Sequence, residues 1–541
     1  MGTFGSFTTV RLGIYSAQKG LDVTGNNITN INTEGYTRQR LNQVSLIPSS
    51  VDRYSSTYNT RIGQGSVVAG ITQLRDPGLD ISYRKASSDL GSANSKLEGL
   101  NSLADILDEV GKGDLEQDDG VILSQLNDIR DLISQAIASG GSSTYNDLIR
   151  SSAQSLATLF NSYADKLTKL QGTYEKKLNQ QVDEINDKLT QIRDLNLSIR
   201  DADLRGDPAL ELRDQRNLLL DELSQYMDID VTYSMENVGA NTQVEKLTIT
   251  LASGIGHKDH VLVDGLYATT VSAGDAANGY QISISDLVDD KGNEDPNIPN
   301  NGMGLAEGDL YGSLQSIRDI LTGEGQYASQ ADIDKNKDAA TIRGIPYYQK
   351  ALDSLAYEFA TAMNTLNNVL DADGNLVKGA GNLFSTGSNT DDAAGITASN
   401  ISVSYSWANQ KVSIQTSADP NAPSGDTSRL SEFLALFDKK IDFEPSHVQG
   451  DAEGDAFNGT FEEMLLKIQS TLGEDQMSTD AILNNYAVTI GDLYVDREGV
   501  TGVDLNDEAA NLMTYQKAYA AACRLMTTLE EALDSLINSM M

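Results

Sequence analysis

Apolar and small side chains recur every three or four residues near both ends of the chain. Near the N-terminus these positions are Phe7, Val10, Ile14, Ala17, Leu21, Thr24, Ile28 and Ile31. Near the C-terminus they are Leu505, Leu512, Tyr515, Tyr519, Ala522, Met526, Leu529, Leu533, Leu536 and Met540. This spacing places each set on one face of a helix, as in the seam of a coiled coil. It predicts helices over about 5–32 and 505–540.

Such a stripe is also typical of ordinary core packing, and periodicity alone does not separate the two interpretations. Small residues lie beside both stripes and favour close packing by several neighbours. They are Gly13, Ser16 and Gly20 at one end and Ala509, Ala510, Ala518, Ala520 and Ala521 at the other. The terminal helices are therefore predicted to assemble with partners.

The chain between the stripes is first extended and then helical. Residues 36–75 contain β-branched, alternating stretches that predict a hairpin, and Asp76-Pro77-Gly78 predicts a turn that closes it. Apolar residues spaced by three and four then predict helices over 79–110, 121–138, 145–205 and 209–227. The helix over 145–205 would be roughly 90 Å long.

The period changes to alternation at about residue 229. Residues 229–290 are rich in Val, Ile and Thr and predict a β domain. Helices are predicted over 304–322 and 342–370, and a polar, strand-like region over 375–455. Two more helices are predicted over 460–471 and 477–497, before the terminal helix.

This order predicts an α+β multidomain protein with paired, coiled-coil-like terminal helices, a long-helix bundle and inserted β-rich outer domains. Four domains are expected. They are a terminal helical domain (1–35 with 505–541), a helical bundle with an N-terminal hairpin (36–228 with 330–370 and 460–504), a β-rich domain (229–329) and a second inserted outer domain (375–459). The β insertions would face outward from the terminal helices.

Charge and composition exclude several partners. The net charge is −38 over 541 residues, which argues against nucleic acid and against anionic membrane surfaces. No apolar run reaches the length of a transmembrane helix. The single cysteine, Cys523, permits no intrachain disulfide and is expected to be a small packing residue.

Candidate metal and catalytic residues are few. His257 and His260 have metal-ligand spacing, but they lie where a loop enters a predicted strand, so their side chains would not converge. An acidic segment imitates the start of a calcium loop but has Lys337 and Arg343 where the glycine and the closing carboxylate belong. No nucleophile–base pair or phosphate-binding glycine loop is present. The sequence predicts no enzyme, no cofactor and no metal.

Both terminal segments resemble the paired motifs of the bacterial flagellar axial proteins. The N-terminal match is carried by Asn26, Asn27, Ile28, Asn30, Asn32, Thr33, Gly35 and Tyr36. Thr29 departs from it, since alanine is usual there. The C-terminal match is carried by Val503, Asp504, Leu505, Glu508, Tyr515, Gln516, Ala518 and Tyr519. Residues 36–40 and 513–519, with the long helix, are most similar to the members that join hook to filament.

The resemblance implies a structural function and a route of assembly. Such proteins are exported unfolded through the flagellar type III apparatus, pass transiently through the cytoplasm and end outside the cell at the hook–filament junction. Their terminal segments are disordered in the monomer and fold into an inner tube on assembly, which suits helices without a partner. The implied partners are the flagellar hook protein, the second junction protein (hook-associated protein 3), further copies of the chain and an export chaperone that binds residues 505–540.

Two alternatives stay open at this point. Another axial protein, such as a hook or distal-rod protein, would share both motifs, but a hook protein would lack the helix over 145–205. A secreted calcium-binding adhesin would use the terminal helices only as a core. That protein would show calcium-dependent stability and a folded C-terminal segment in the monomer.

Overall fold

The described part of a computed structural model comprises residues 3–46, 65–107, 120–239, 243–251, 260–299, 301, 311–419, 422–423 and 425–540. The helices are α1 (Thr3–Thr29), α2 (Pro77–Leu107), α3 (Val121–Ala138), α4 (Ser143–Leu204), α5 (Leu210–Leu223), α6 (Gly312–Thr322), α7 (Gln330–Lys335), α8 (Ile345–Asn367), α9 (Tyr405–Ala408), α10 (Ser428–Leu436), α11 (Phe461–Thr501) and α12 (Leu505–Met540). The strands are β1 (Gln39–Ser45), β2 (Ser66–Gln73), β3 (Ile229–Asn237), β4 (Gln243–Leu251), β5 (Val261–Asp264), β6 (Tyr267–Ala268), β7 (Val271–Ala273), β8 (Ile282–Ile284), β9 (Phe384–Ser385), β10 (Ser402–Val403), β11 (Ile441–Phe443) and β12 (Phe457–Gly459). The α+β class is confirmed.

The helix α4 organises the body of the protein. It has 62 residues and is about 93 Å long. Buried side chains recur every three or four residues from Ile149 to Leu167 and from Tyr174 to Ala202, with the half-buried Leu170 between them, so one face of the helix is covered along its length. The helices α3, α5, α6 and α8 and the strand β4 pack against it. The long helix predicted over 145–205 is confirmed.

The β-rich region is built from small antiparallel sheets. The largest has the strand order β3-β4-β5-β6, and β7 pairs with β8. Leu247, Ile249, Leu262 and Val263 from the larger sheet belong to the same cluster of buried apolar side chains as α4. That cluster runs on through α8 and Trp407 to α11, so the sheets and helices of the body share one core. The division into four domains therefore stays a prediction.

The terminal helices lie outside that core. Val10, Ala17 and Val23 of α1 are buried but do not belong to the cluster. The main partner of α1 is α12, and the hairpin of β1 and β2 packs along α1. The hairpin is antiparallel, with Gln39 opposite Gln73, and thus joins the end of α1 to the start of α2.

Two predicted boundaries in the helices are wrong. The helices predicted over 460–471 and 477–497 form one continuous helix, α11. Gly473 costs about 1 kcal/mol inside a helix, but buried residues on both sides, Leu472 and Thr479, hold the helix together across it. The turn predicted at residues 76–78 is instead the start of α2, because proline is favoured at the first helical position.

The strand-like pattern predicted over 375–455 yields little sheet. Among the described residues of this region, only short strand pairs such as β9–β10 form. Ser404 caps the short helix α9 by accepting a hydrogen bond from the Trp407 amide. Asparagine side chains take the place of a strand partner here. Asn146 Oδ1 accepts from the amide of Ile414 at 3.0 Å, and Asn367 Oδ1 accepts from Gln415 at 2.8 Å. Hydrogen bonds from side chains can thus satisfy the polar groups of an extended backbone where no neighbouring strand is present.

Candidate assembly site

The helices α1 and α12 form an antiparallel pair. Gly20, in the middle of α1, faces the Tyr515 ring of α12. Arg38, which follows α1, forms an ion pair with Glu508 in the first turn of α12 at 2.8 Å. The end of α1 therefore lies beside the start of α12. At 1.5 Å per residue Thr3 reaches about the level of Ala532, and the last turns of α12 extend past α1.

The predicted stripe on α1 is only partly covered. Val10, Ala17 and Thr24 are buried. The remaining apolar positions of the stripe are half-buried, with one exposed residue at the end. The half-buried residues are Phe7, Ile14, Leu21 and Ile28, and the exposed residue is Ile31.

The predicted stripe on α12 is covered still less. Glu508 is the one buried side chain among the described residues of this helix. The half-buried positions of the stripe are Leu512, Tyr515, Ala522, Met526, Leu529 and Leu533, together with Cys523 beside them. The exposed positions are Leu505, Tyr519 and Leu536. Within this pair, α1 thus covers only one side of α12.

Small residues contribute to the contact between the two helices. Ser16, Gly20 and Val23 are buried but were not part of the predicted stripe. A Cβ atom added at Gly20 would lie 2.5 Å from two atoms of the Tyr515 ring. The sequence does contain a signal for this close packing, because Ser16 and Gly20 are small residues beside the apolar stripe.

We predict that Gly20→Ala weakens the α1–α12 pair by about 1–2 kcal/mol, or roughly 5- to 30-fold, because the new methyl group overpacks the contact with Tyr515. Gly13→Ala is the matched control. It has no atom within 4 Å of an added Cβ and should gain up to about 1 kcal/mol of helix propensity. The measurement is the amount of each variant recovered in assembled complexes by immunoblot. Equal amounts of both variants would contradict a close contact at Gly20.

The residues of the N-terminal motif form a polar joint between α1 and the hairpin, here called the joint. Its centre is Asn27, whose side chain is 1% exposed. Its Nδ2 donates to the Gln39 carbonyl at 2.9 Å, and its Oδ1 accepts from the Gln39 amide at 3.0 Å. The Tyr36 hydroxyl donates to the same Oδ1 at 2.8 Å. One side chain thus binds the first residue of β1 as a neighbouring strand would.

The other asparagines of the motif shape the end of α1. Asn26 Oδ1 accepts from Asn30 Nδ2 at 2.9 Å, and Asn26 Nδ2 donates to Glu211 of α5 at 3.2 Å. The backbone carbonyl of Asn30 in turn accepts a hydrogen bond from the amide of Thr33 at 2.9 Å. Asn32 is exposed, and its side chain makes no hydrogen bond to the described residues. The structure therefore gives local contacts to Asn26, Asn27 and Asn30 but not to Asn32.

Gly35 and Tyr36 complete the joint. Gly35 has a φ of +75°, a conformation that favours glycine, and lies against Leu218 of α5. Burial raises the pKa of the Tyr36 hydroxyl above its ordinary value, and nearby carboxylates raise it further. Tyr36 therefore stays a neutral hydrogen-bond donor.

Arg38 ties the joint to the C-terminal helix. Its backbone amide donates to the carbonyl of Thr501, the last residue of α11, at 2.8 Å. Its Nε donates to Glu508 at 2.8 Å, and this carboxylate is 2% exposed. A buried carboxylate depends strongly on its partner, since an unpaired charge in this position is costly. Arg38 thus connects the segment after α1 to the end of α11 and to the start of α12.

A buried network of ion pairs lies next to the joint, on the side of the body. Arg75 binds Asp80 through two nitrogens, at 2.9 and 3.0 Å. Asp221 accepts from Arg84 at 2.9 Å and pairs with Arg497 of α11 at 2.7 Å. Burial would raise the pKa of Asp80, but its hydrogen bonds and ion pairs, mainly with Arg75, hold it below the ordinary value. These pairs join the segment after β2 to the helices α2, α5 and α11, where the terminal helices leave the body.

Asp214 makes the joint sensitive to pH. Burial raises the pKa of its carboxyl to about 6, although its hydrogen bonds with Thr37 and the nearby Arg75 act in the opposite direction. Because this value lies above the ordinary 3.8, the folded state retains a proton that the unfolded chain loses. The stabilising contribution is thus present below about pH 4 and lost as the pH rises through 6.

We predict that Asp214→Asn removes the pH-dependent contribution of this carboxyl to the free energy of unfolding. Between pH 4 and 7 the free energy of unfolding of the wild type should fall by about 2 kcal/mol relative to the variant. The measurement is urea unfolding at pH 4, 5, 6 and 7. Asp353, whose pKa burial also raises to about 6, is present in both proteins and serves as an internal control. Parallel pH profiles would contradict this role of Asp214.

The candidate metal residues do not come together in the described part of the chain. Asp332 lies in α7 rather than in a calcium loop, and His260 is buried with its Nδ1 2.9 Å from the carbonyl of Asn301. His257 lies outside the described residues. Within the described ranges, no group of three or more histidine, cysteine, aspartate or glutamate side chains could hold a metal ion. None of the helices in these ranges is long and apolar enough to cross a membrane.

Comparisons with known proteins agree with the resemblance of the termini. Residues 114–384 match the model of the flagellar hook-associated protein FlgK helical domain. Residues 500–540 match the flagellar basal body rod FlgEFG protein C-terminal model, and residues 15–37 match the flagella basal body rod protein model. The three matches cover both ends and the long-helix region between them.

Whole-length relatives carry the same kind of name. Flagellar hook-associated protein 1 of Bacillus subtilis is 26% identical over 99% of this chain and 98% of its own length. The proteins of that name from Salmonella typhimurium and Escherichia coli are 23% and 22% identical over 97% of this chain and 98% of theirs. A solved flagellar hook junction protein FlgK from Burkholderia pseudomallei shares the fold. Its TM-score is 0.53 at 12% identity, covering 78% of this chain and all of that one. The chain belongs to the family of flagellar hook-associated proteins that is defined by the FlgK helical domain.

Proposed function

We propose that this chain is the structural subunit that joins the hook to the filament of a bacterial flagellum, and that it has no catalytic activity. The relatives named flagellar hook-associated protein 1 match over nearly their whole length. A structural subunit needs extensive contact surfaces rather than a reactive centre, and the terminal helix pair provides one.

One observation carries this proposal: the apolar faces of α1 and α12 are incompletely covered. Leu536 is 50% exposed, and only Glu508 is buried in the described part of a 36-residue helix. A helix owes most of its stability to the packing of its apolar face, so α12 needs partners beyond α1. Neighbouring subunits in the flagellum would cover these faces and stabilise the helices.

The proposed partners follow from the position of such a subunit. On one side it contacts the flagellar hook protein and on the other the second junction protein, hook-associated protein 3. Further copies of the chain form a helical ring, and each copy meets its neighbour through a heterologous contact. Before export through the type III apparatus, a chaperone holds residues 505–540, whose apolar stripe fits a helix-binding groove.

The long helix separates this proposal from a hook protein. The helix α4 and the match of residues 114–384 to the FlgK helical domain both lie between the terminal motifs. The calcium-binding adhesin has less support, because Asp332 and Asp334 are held in the helix α7. The placement of these residues does not form the calcium loop that such a protein would use.

The proposal is tested by labelling flagella in cells that carry a tagged copy. Label confined to the point between hook and filament supports it, and cells without the chain should release filament protein instead of assembling it. Label along the hook or in the rod would favour another axial protein. Limited proteolysis of the monomer adds a second test. Loss of roughly residues 1–35 and the last 40 residues, with a resistant middle, is expected if the helices await partners.

A further inference from the structure

The second half of α11 has two apolar faces, and α2 covers one of them. Near one end of this part, Gln476 donates to Asn101 of α2 at 2.8 Å. Near the other end, the guanidinium of Arg497 lies 4.4 Å from the centre of the Tyr83 ring. The apolar residues between these contacts are half-buried at a spacing of three and four, and they are Leu483, Tyr486, Ile490 and Leu493.

The opposite face of the same part is exposed and is here called the outer stripe. Met477 is 77% exposed, Val488 is 65% exposed and Val495 is 66% exposed. The exposed positions of the stripe follow one another at spacings of four and three, and they are Met477, Ala481, Asn484, Val488, Gly491 and Val495. This repeat is that of a coiled-coil seam, in which a single asparagine can set the register. The outer stripe therefore fits the side of another helix.

Carboxylates border the outer stripe on both sides. They are exposed and form no ion pair with a described residue, and they are Asp480, Asp492, Asp496 and Glu498. The one cation of residues 477–501, Arg497, lies on the side of α2 and pairs with Asp221 at 2.7 Å. The border of the stripe therefore keeps its negative charge. Two outer stripes facing each other would repel, so the charges favour a basic helix as the partner.

The side of α12 that points away from α1 has the matching properties. Its exposed residues also follow one another at spacings of four and three, and they are Met513, Lys517, Ala520 and Arg524. Neither Lys517 nor Arg524 forms an ion pair with a described residue, and residues 509–529 contain no aspartate or glutamate. This stretch of α12 is therefore basic, although the net charge of the chain is −38.

We infer that the outer stripe of α11 packs against this basic side of α12 from a second copy of the chain. The inference rests on the proposed function, in which copies of the chain lie next to one another. Small residues such as Gly491 and Ala520 allow the two helices to approach closely, since the distance between packed helices depends on the side chains at the contact. The cations of one copy then meet the carboxylates of the other.

The contact joins two copies rather than two parts of one chain. Within the described residues of one chain, α12 packs along α1 and not along α11. To reach the outer stripe of its own chain, α12 would have to leave α1. Each copy thus supplies one acidic stripe and one basic helix side, which are different surfaces. A contact between two different surfaces repeats from copy to copy and builds a ring or a helix.

Reversal of the charges tests this contact. Asp492→Lys with Asp496→Lys should lower incorporation into flagella at least roughly tenfold, and Lys517→Glu with Arg524→Glu should do the same. A chain with all four changes should recover to within about threefold of the wild type, because opposite charges again face each other. Incorporation is measured relative to the amount of chain exported, so that effects on the chaperone and on export are excluded.

The matched control is Asp183→Lys with Asp187→Lys on α4, where two exposed carboxylates are also four residues apart. It should leave incorporation unchanged. The inference is overturned if either pair of changes has no effect, if the control loses as much, or if the chain with all four changes assembles no better than the chains with two.

A photo-crosslinking amino acid at Val488 identifies the occupant directly. In isolated flagella we expect a crosslinked dimer in which α11 of one copy is joined to α12 of another, located by mass spectrometry. A crosslink to a different protein or to another part of the chain, or no crosslink in flagella that contain the labelled chain, overturns the inference while the proposed function stands. Absence of the chain from the junction region would instead reject the proposed function itself.

Discussion

Replacing Asn27 with alanine is expected to destabilise the joint by about 2–5 kcal/mol. The amide of Asn27 satisfies both the buried N–H and the buried C=O of Gln39, and it also accepts from the Tyr36 hydroxyl. Alanine would leave these groups without partners, and each unsatisfied buried group costs about 1–3 kcal/mol. Because Gln39 begins β1, the loss would separate the hairpin from the end of α1. The joint would then no longer hold the terminal pair to the body.

This effect can be measured as the temperature at which the protein leaves isolated flagella. The Asn27→Ala variant should be released at a markedly lower temperature than the wild type. Asn32→Ala is the matched control, since Asn32 belongs to the same motif but is exposed and makes no hydrogen bond to the described residues. Release of both variants at the wild-type temperature would show that the contacts of Asn27 do not hold the joint.

Helices with an unbroken apolar stripe were the part of the fold that the sequence predicted well. The helix α4 matches the predicted 145–205 within two residues at each end, and α12 begins at the predicted Leu505. When apolar residues keep a spacing of three and four over many turns, only a helix explains the pattern. An exception at a single residue then does not change the prediction. Short elements were predicted less well. The Asp76-Pro77-Gly78 segment has the composition of a turn, yet Pro77 starts a helix because α2 packs against α6 and α11.

The pairing of the terminal helices was predicted, but the contact between Gly20 and Tyr515 was not. Hydrophobicity selects large residues such as Ile14 and Leu21, which are half-buried in the pair. Gly20 is buried in the pair, and its lack of a side chain leaves room for the Tyr515 ring. Apolar patterns identify which face of a helix packs, whereas the fit of individual side chains depends on the partner. Large residues beside the contact remain available to further partners.

The ion pairs beneath the joint had no signal in the sequence. Arg84 and Asp221, for example, are separated by 137 residues. Charged residues are common in this chain, so nothing local distinguishes those that become buried partners from those that stay solvated. The motif indicated Asn27 and Tyr36 through resemblance, but only the fold shows that they bind the start of β1.

Substitutions at Leu529 and Leu536 separate helix pairing from partner binding. Leu529 is half-buried in the described pair, and Leu536 is exposed beyond the level of Thr3. A carboxylate at either position costs several kcal/mol once the stripe is covered. We expect Leu529→Asp and Leu536→Asp to block assembly or chaperone binding while urea unfolding of the body stays unchanged, because both side chains lie outside its core.

The two variants should nevertheless differ in one respect. Leu529→Asp acts on the contact with α1 as well as on any outer partner, whereas Leu536→Asp can act only through a partner, since α1 does not reach that turn. Incorporation into flagella and binding of the export chaperone are therefore measured for both. Loss with Leu536→Asp shows that partners cover the last turns of α12. Normal assembly with both variants would mean that the stripe stays uncovered, and the terminal helices would then not be the assembly site.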